Sequence, residues 1–336
     1  MRVKNDMLHI GILTYPEAQA AAVLGMTDLF EAANAAARLS DPDQGLVVSH
    51  WRKSSPEGRI AKVFSTADTT SCPDICILPP SLKGPPVPDT ITSAWLRARH
   101  SDGAVLASVC TGAFVLGAAG LLDDRTVTTH WTYEERFRRE FPLARIDTDP
   151  LVIDEGDIIT AGGVMSWTDL VLTVIERYLG SAVMNEVARG FLIDPPGRRQ
   201  SYYSSFAPHL DHGDGPIRAA QDFLQDRLAE EISLAQLSSV SGLEQRTFLR
   251  RFQKATGLTA TDYRQRLRIA RSQELLRTTR VKAEQIGWQV GYVDPSAFRK
   301  TFNRIVGLSP SEYRKRFSSR SPIPPSPLPQ LKGRVV

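Results

Sequence analysis

Apolar positions along the first two-thirds of the chain switch repeatedly between strand-like and helix-like periods. "LHIGILTY" (8–15) reads as a buried strand, and an Ala-rich helical pattern follows from about Ala18 to Leu39. "LVVSHW", "IAKVFST" and "DICILPP" are further β-prone runs, the last stopped by two prolines. A helix is predicted over Thr90–Arg99, a strand over 103–109, a strand at "TVTTHW" and a helix around Tyr133–Phe141. "DIITAGG" then leads into a helix from Ser166 to Leu179. Strands alternating with helices predict an α/β domain with a mostly parallel sheet, covered on both faces, over residues 1–193.

Pro, Gly and polar residues interrupt that pattern in "DPPGRRQSYYSSFAPHLDHGDGP", so a linker is expected over 194–214. From Ile217 onward the pattern is helical throughout, giving an all-α domain over 215–318. The Pro/Ser-rich stretch 319–336 is expected to be a disordered tail.

Charge divides the chain in the same place. Gly213–Ser318 holds 19 Lys/Arg and 11 Asp/Glu, whereas the residues before 213 hold 19 and 26. An acidic front and a basic back are expected when only the back meets a polyanion. At 336 residues and 42% hydrophobic, the chain can bury more than one core. No apolar stretch is long enough to span a bilayer, so no membrane is expected, and the N-terminus lacks the pattern of a secretory leader. The three cysteines, Cys72, Cys76 and Cys110, are too few for a disulfide framework. Cys72 and Cys76 lack a second ligand pair, and His209 and His212 lack a third ligand, so no metal and no cofactor is expected. A reducing cytoplasm suits this composition.

The basic segment repeats itself. "FLRRFQKATGLTATDYR" (248–264) matches "FRKTFNRIVGLSPSEYR" (298–314) at a constant offset of fifty. Each copy reads as a short helix, a turn and a second helix ending at Gly, which is helix-turn-helix grammar. Phe248, Leu249 and Phe252 in one copy, and Phe298, Phe302 and Ile305 in the other, are expected to point inward. Gln245, Arg246, Thr247 and Arg250 would then face outward, as would Ser296, Arg299, Lys300 and Asn303. Arg251 and Arg304 join them as expected DNA contacts. These residue types suit base edges and phosphates of double-stranded DNA. Between the copies, "TATDYRQRLRIARSQELLRTT" reads as one long helix, capped by Thr259 or Thr261, that would hold the reading helices at fixed separation.

This back segment resembles the AraC/XylS family of transcription regulators, most closely in "AEQIGWQVGYVDPSAFRKTFNRIVGLSPSEYRKRF" (283–317). The resemblance implies seven helices, with two recognition helices in successive major-groove segments. Gly287 departs from the family's usual Ala.

In the front half, "LASVCTGAFVLGAAGLL" (106–122) ends an apolar strand at Cys110 and continues as small residues and a helical pattern. A thiol there sits at a strand-to-helix turn, where a helix dipole and an imidazole could activate it. With "TTHW" some twenty residues on, the segment resembles the PfpI/ThiJ branch of the class I glutamine-amidotransferase-like superfamily, over residues 7–190. The resemblance implies a flavodoxin-like sheet with nucleophile-elbow topology and pairs Cys110 with His130. It also implies an acid that the chain lacks, because Ala22 and Thr132 occupy its usual places. Asp28, Glu31 and Glu134 are the nearby carboxylates that could substitute. Cys110 and His130 are therefore read as vestigial, without a catalytic role. An effector pocket is expected at the carboxyl ends of the strands, near Thr14, Tyr15, Pro80, Cys110, Thr111, His130, Trp131, Gly162 and Gly163.

Two functions follow. The first is a DNA-binding regulator responding to a small molecule, an amino acid or amine derivative, bound in a non-catalytic domain. Its expected partners are double-stranded DNA, the small-molecule effector, RNA polymerase and a second copy of the chain in a homodimer. The second is a cysteine-dependent amidase, hydrolase or glyoxalase-like enzyme fused to a DNA-binding domain.

Overall fold

The computed structural model describes residues 7–318 apart from 43 and 56, so the tail expected over 319–336 lies outside the described residues. The chain divides into two units between Gln200 and Ser201, inside the segment expected to link the domains.

Among the described residues the first unit is built on nine strands: β1 (Leu8–Leu13), β2 (Leu46–Lys53), β3 (Ile60–Ser65), β4 (Ile75–Leu78), β5 (Val105–Val109), β6 (Thr126–Val127), β7 (Arg145–Ile146), β8 (Val152–Asp154) and β9 (Ile158–Ala161). Seven form one sheet in the order β3-β2-β1-β4-β5-β9-β8, and β6 and β7 pair separately. β2, β1, β4, β5 and β9 are mutually parallel, while β3 and β8 close the edges antiparallel. Counting the parallel strands alone gives the order 2-1-3-4-5, the flavodoxin-like arrangement. The strand order reverses between β1 and β4, so a crevice opens beyond their carboxyl ends. β4 and β5 are buried along their whole length because helices cover both faces.

The helices of this unit are α1 (Ala20–Ser40), α2 (Thr90–Ser101), α3 (Gly112–Ala118), α4 (Glu134–Glu140), α5 (Trp167–Leu179) and α6 (Ser181–Gly190). α1 buries Ala22, Met26, Phe30, Ala33 and Ala37, one stripe at helical spacing, in the core that α5 and α6 share. Small residues on that stripe let the helix approach closely, and each large apolar side chain buried adds about 1.5–3 kcal/mol. Three elements escaped the sequence pattern, among them the two-residue β7. α6 is separated from α5 by Gly180 alone, and β8 is a three-residue edge strand. The expected strand "TVTTHW" stops at Val127 because the next backbone groups bond elsewhere: Thr128 N–H donates to Thr160 Oγ1 at 2.9 Å.

The second unit contains α7 (Gly215–Asp226), α8 (Leu234–Ser241), α9 (Gln245–Thr256), α10 (Ala260–Thr278), α11 (Ala283–Gln289), α12 (Pro295–Val306) and α13 (Pro310–Phe317). Turn chemistry sets the boundaries. Ser233 and Gln236 form a capping box on α8, and Ser309 and Glu312 form one on α13. Asp294 caps α12 by accepting from the N–H groups of Ser296 and Ala297. Thr259, one of the two expected caps, accepts from Asp262 N–H at 3.1 Å to start α10. α9 and α12 both end on left-handed glycines, Gly257 (φ 72°) and Gly307 (φ 84°).

Two small cores result. One gathers Phe248, Phe252, Tyr263 and Leu267; the other gathers Ile269, Leu276, Phe298, Phe302 and Tyr313. α10 contributes to both and so joins the two lobes. Leu249, expected inside, is 44% exposed. Phe248 and Phe252, one helical turn apart, fill the core, and the residue between them is rotated to the flank of the helix. Among the described residues no helix is long and apolar enough to cross a membrane.

Candidate functional site

β5 runs into α3 through a sharp turn whose apex is Cys110. Its φ is 54°, a left-handed value that costs a non-glycine residue about 1–2 kcal/mol. The surroundings hold it there. Cys110 N–H donates to the Ala161 carbonyl at 2.7 Å, and Thr129 Oγ1 donates to the Cys110 carbonyl at 2.6 Å. Two residues on, Gly112 lies so close to β4 that a Cβ would stand 2.8 Å from the Leu78 carbonyl oxygen. Only glycine lets strand and elbow meet at that distance.

The ends of β1, β4 and β9 and the loop after β6 lie around the elbow. Tyr15 follows β1, and its hydroxyl, buried near Cys110, donates to the Pro79 carbonyl. Pro80 accepts from Gln19 N–H at 2.8 Å, and Thr111 Oγ1 accepts from Ser81 N–H at 2.9 Å. The first bond ties the loop after β4 to the residue before α1, and the second ties it to the elbow. Thr14 is not part of this group, because its N–H and hydroxyl both donate to the Trp51 carbonyl of β2.

Burial dominates the electrostatics. It pushes the Cys110 thiol up to about 11, outweighing the opposing hydrogen bonds from Thr111 and from the His130 backbone. At neutral pH the sulfur is a thiol, which is a poor nucleophile. Burial also lowers the His130 pKa, and no carboxylate opposes it. Its Nδ1 accepts from Thr132 N–H at 3.2 Å and lies 2.8 Å from the Thr132 hydroxyl. A nitrogen that accepts from an amide carries no proton, so the neutral ring bears its proton on Nε2. That is the reverse of the tautomer in a catalytic triad, where Nδ1–H points to a carboxylate and Nε2 receives the proton. The carboxylates that could have substituted are elsewhere engaged: Glu134 binds Arg138 and Thr148, while Asp28 and Glu31 lie exposed on α1.

Trp131 stacks on the His130 ring at 5.7 Å, and its backbone N–H donates to Gln200 Oε1 at 3.1 Å. The Gln200 amide nitrogen donates to Thr128 Oγ1 at 3.0 Å and to the Thr129 carbonyl at 2.9 Å. Gly162, at the end of β9, makes room for it: a Cβ there would lie 2.1 Å from Gln200 Nε2. Gly163 follows with φ 46°. Gln200 was not legible as part of this site, since it stands in a polar stretch that reads as linker. Its neighbour Arg198 is held in the same unit by a bidentate bond to Asp169, which is buried on α5.

In the second unit the expected DNA contacts fall into two groups. Gln245, Arg246, Arg250, Lys300 and Asn303 are exposed on α9 and α12, and none makes a side-chain hydrogen bond among the described residues. Thr247 is half-buried on α9, and Ser296 is exposed at the start of α12. The others are tied to the protein. Arg251 binds both oxygens of Asp214, Arg299 pairs with Glu284, and Arg304 donates to Gln265 Oε1 at 2.6 Å. Groups of three or more residues able to hold a metal are absent among the described residues.

Residues 64–177 match the DJ-1/PfpI family, and residues 237–316 match a helix-turn-helix domain family. The HTH-type transcriptional regulator GbdR of Pseudomonas aeruginosa is 25% identical over 237 residues, 70% of this chain and 64% of that relative. The chain thus spans somewhat less than two thirds of that regulator's length. The HTH-type transcriptional regulator GlxA of Rhizobium meliloti is 26% identical over 227 residues, 67% of this chain and 69% of the relative. An isonitrile hydratase of Pseudomonas putida is 31% identical over 178 residues, covering 52% of this chain and 73% of the hydratase.

Proposed function

The chain belongs to the proteins that join a DJ-1/PfpI domain to an AraC-type helix-turn-helix domain, and from that premise we propose that it is a sequence-specific DNA-binding transcription regulator whose first unit binds a small molecule without turning it over. The observation that carries the reading is the duplicated helix-turn-helix of a basic unit, with Arg246, Arg250, Lys300 and Asn303 exposed on α9 and α12 and without side-chain hydrogen bonds among the described residues. Side chains of this kind suit major-groove edges and phosphates. The partners in this reading are double-stranded DNA, an amino-acid or amine derivative, a second copy of the chain and RNA polymerase, in the cytoplasm.

The strand-end crevice is the effector site, lined by Tyr15, Pro80, Cys110, Thr111, His130, Trp131, Gly162 and Gly163. It is read as a binding site rather than a catalytic one because burial raises the Cys110 thiol and no carboxylate contacts the His130 ring among the described residues. Selection of duplexes from a randomised pool by the full chain tests DNA binding. Binding should fall with salt at a slope of about −0.9 per phosphate contacted. Failure to enrich any sequence removes the reading.

One observation favours a cysteine enzyme instead: the strained elbow at Cys110, in a segment 31% identical to a hydratase. Incubation with isonitriles, amides and α-oxoaldehydes decides between the two. Product that disappears in Cys110→Ser would establish the enzyme.

A further inference from the structure

α9 breaks its own polar face at one position. Leu249 is 44% exposed and is the sole exposed large hydrophobic side chain of α9 among the described residues. Its neighbours on the helix surface are Gln245 and Arg246 one turn before it and Gln253 one turn after it, with Arg250 on the adjoining face, all exposed. The corresponding residue of the second copy is Arg299, so an apolar residue here is not a requirement of the repeat.

The setting restricts what the side chain can meet. A protein-docking surface gathers contiguous apolar area and sheds charge at its centre. Here α9 offers a single isobutyl group, with Gln245, Arg246 and Gln253 around it and Arg250 on the adjoining face. The same cations complement a polyanion. On the edges of DNA bases in the major groove, the apolar group on offer is the C5-methyl of thymine.

We propose that Leu249 is a specificity-determining residue that reads one thymine by packing its isobutyl group against the base's C5-methyl. The inference rests on the DNA-binding reading above and adds to it a base identity. Arg246 and Arg250 fix the helix in the groove, and Leu249 supplies a contact that cytosine, lacking the methyl, does not return.

The test uses the full chain and the duplexes it selects from a randomised pool. Each thymine of the selected site is replaced in turn by deoxyuridine, which lacks only the methyl. For the wild type, one replacement should weaken binding about fourfold, the factor that burying one methyl group supplies. Leu249→Ala should bind the thymine and uridine duplexes equally at that position, and Leu249→Met, which keeps an apolar reach, should retain the preference. The side chain is exposed, so neither variant should shift the thermal melt. The proposal falls if no uridine replacement alters wild-type binding, or if Leu249→Ala responds to it as the wild type does. It falls as well if Leu249→Ala leaves DNA binding unchanged but alters the sedimentation of the free protein, which would assign the side chain to self-association. If no duplex is selected, the DNA-binding reading falls with it. A protein that binds its site but ignores the methyl loses this inference alone.

Discussion

Arg268 of α10 donates through Nη1 to the Gly291 carbonyl at 2.9 Å, and the same guanidinium donates to the Leu228 and Glu230 carbonyls at 2.8 and 3.0 Å. Gly291 lies in the turn between α11 and α12, whereas 228–230 precede α8. One buried side chain therefore locks the two lobes that carry the reading helices. Arg268→Ala should remove three partly buried hydrogen bonds and cost about 1–3 kcal/mol of stability. It should also let the protein tolerate a one-base-pair change in the spacing between its two recognition segments. Binding to a spacing series checks this, and a wild-type-like spacing optimum in the variant would refute the locking role.

Arg250 and Arg251 are neighbours with different tasks. Arg251 grips Asp214, which caps α7, whereas Arg250 projects outward without a protein partner among the described residues. Arg250→Ala should relax sequence preference at one base pair, at a cost of about 1–3 kcal/mol. Arg251→Ala should instead lower the melting temperature and leave the preferred sequence unaltered. Selected-site profiles of both variants, read beside their thermal melts, separate the two roles.

Cys110 and Cys76 are buried with thiols pushed up to about 11 and about 12, while Cys72 is exposed. Iodoacetamide at pH 7 should alkylate Cys72 first and leave the other two largely unmodified until the protein is denatured. Peptide mapping by mass spectrometry reads the order. Rapid native labelling of Cys110 would mean that its thiolate is stabilised after all.

Gln200→Ala removes the amide that pairs Trp131 N–H with the Thr129 carbonyl, beside the Thr129 hydroxyl that holds the elbow. The loss should destabilise the first unit by about 2–3 kcal/mol. Gln200→Glu should be at least as damaging, because it buries a charge and loses the donor. Denaturant unfolding of each variant provides the comparison, and a neutral Gln200→Ala would show that the amide is replaceable there.

The Arg125 guanidinium, with His100 beside it, holds the Asp157 carboxyl well below the usual carboxylate range. A depressed folded-state pKa contributes stability above the unfolded value, which is about 4, and loses it as pH falls further toward the folded value. Melting temperature should therefore drop below about pH 4. Asp157→Asn should be less stable at pH 7 and show a flatter acid limb. An acid limb identical in both proteins would exclude this pair as its source.

Periodicity and repetition determined much of this protein by themselves. The Ala22–Met26–Phe30 stripe of α1, the apolar runs of β4 and β5, and the fifty-residue offset that superposes Phe248 on Phe298 are local patterns, and local patterns follow from the 3.6-residue and two-residue periods of the backbone. Cys110 was legible for the same reason, as an apolar run ending in small residues. What the tertiary structure decided depends on groups far apart in the chain. Gln200 joins the site from a polar stretch across 69 residues, and Gly162 explains its glycine only against that amide. Arg268, charged and mid-helix, reads as a solvated residue in a highly basic segment, yet it is buried because two distant turns present carbonyls to it. Leu249 went the other way, since the phenylalanines on either side of it already fill the core that the pattern had assigned to it. Hydrophobic period specifies which elements form; which polar group is buried is specified by the partner that folding delivers to it.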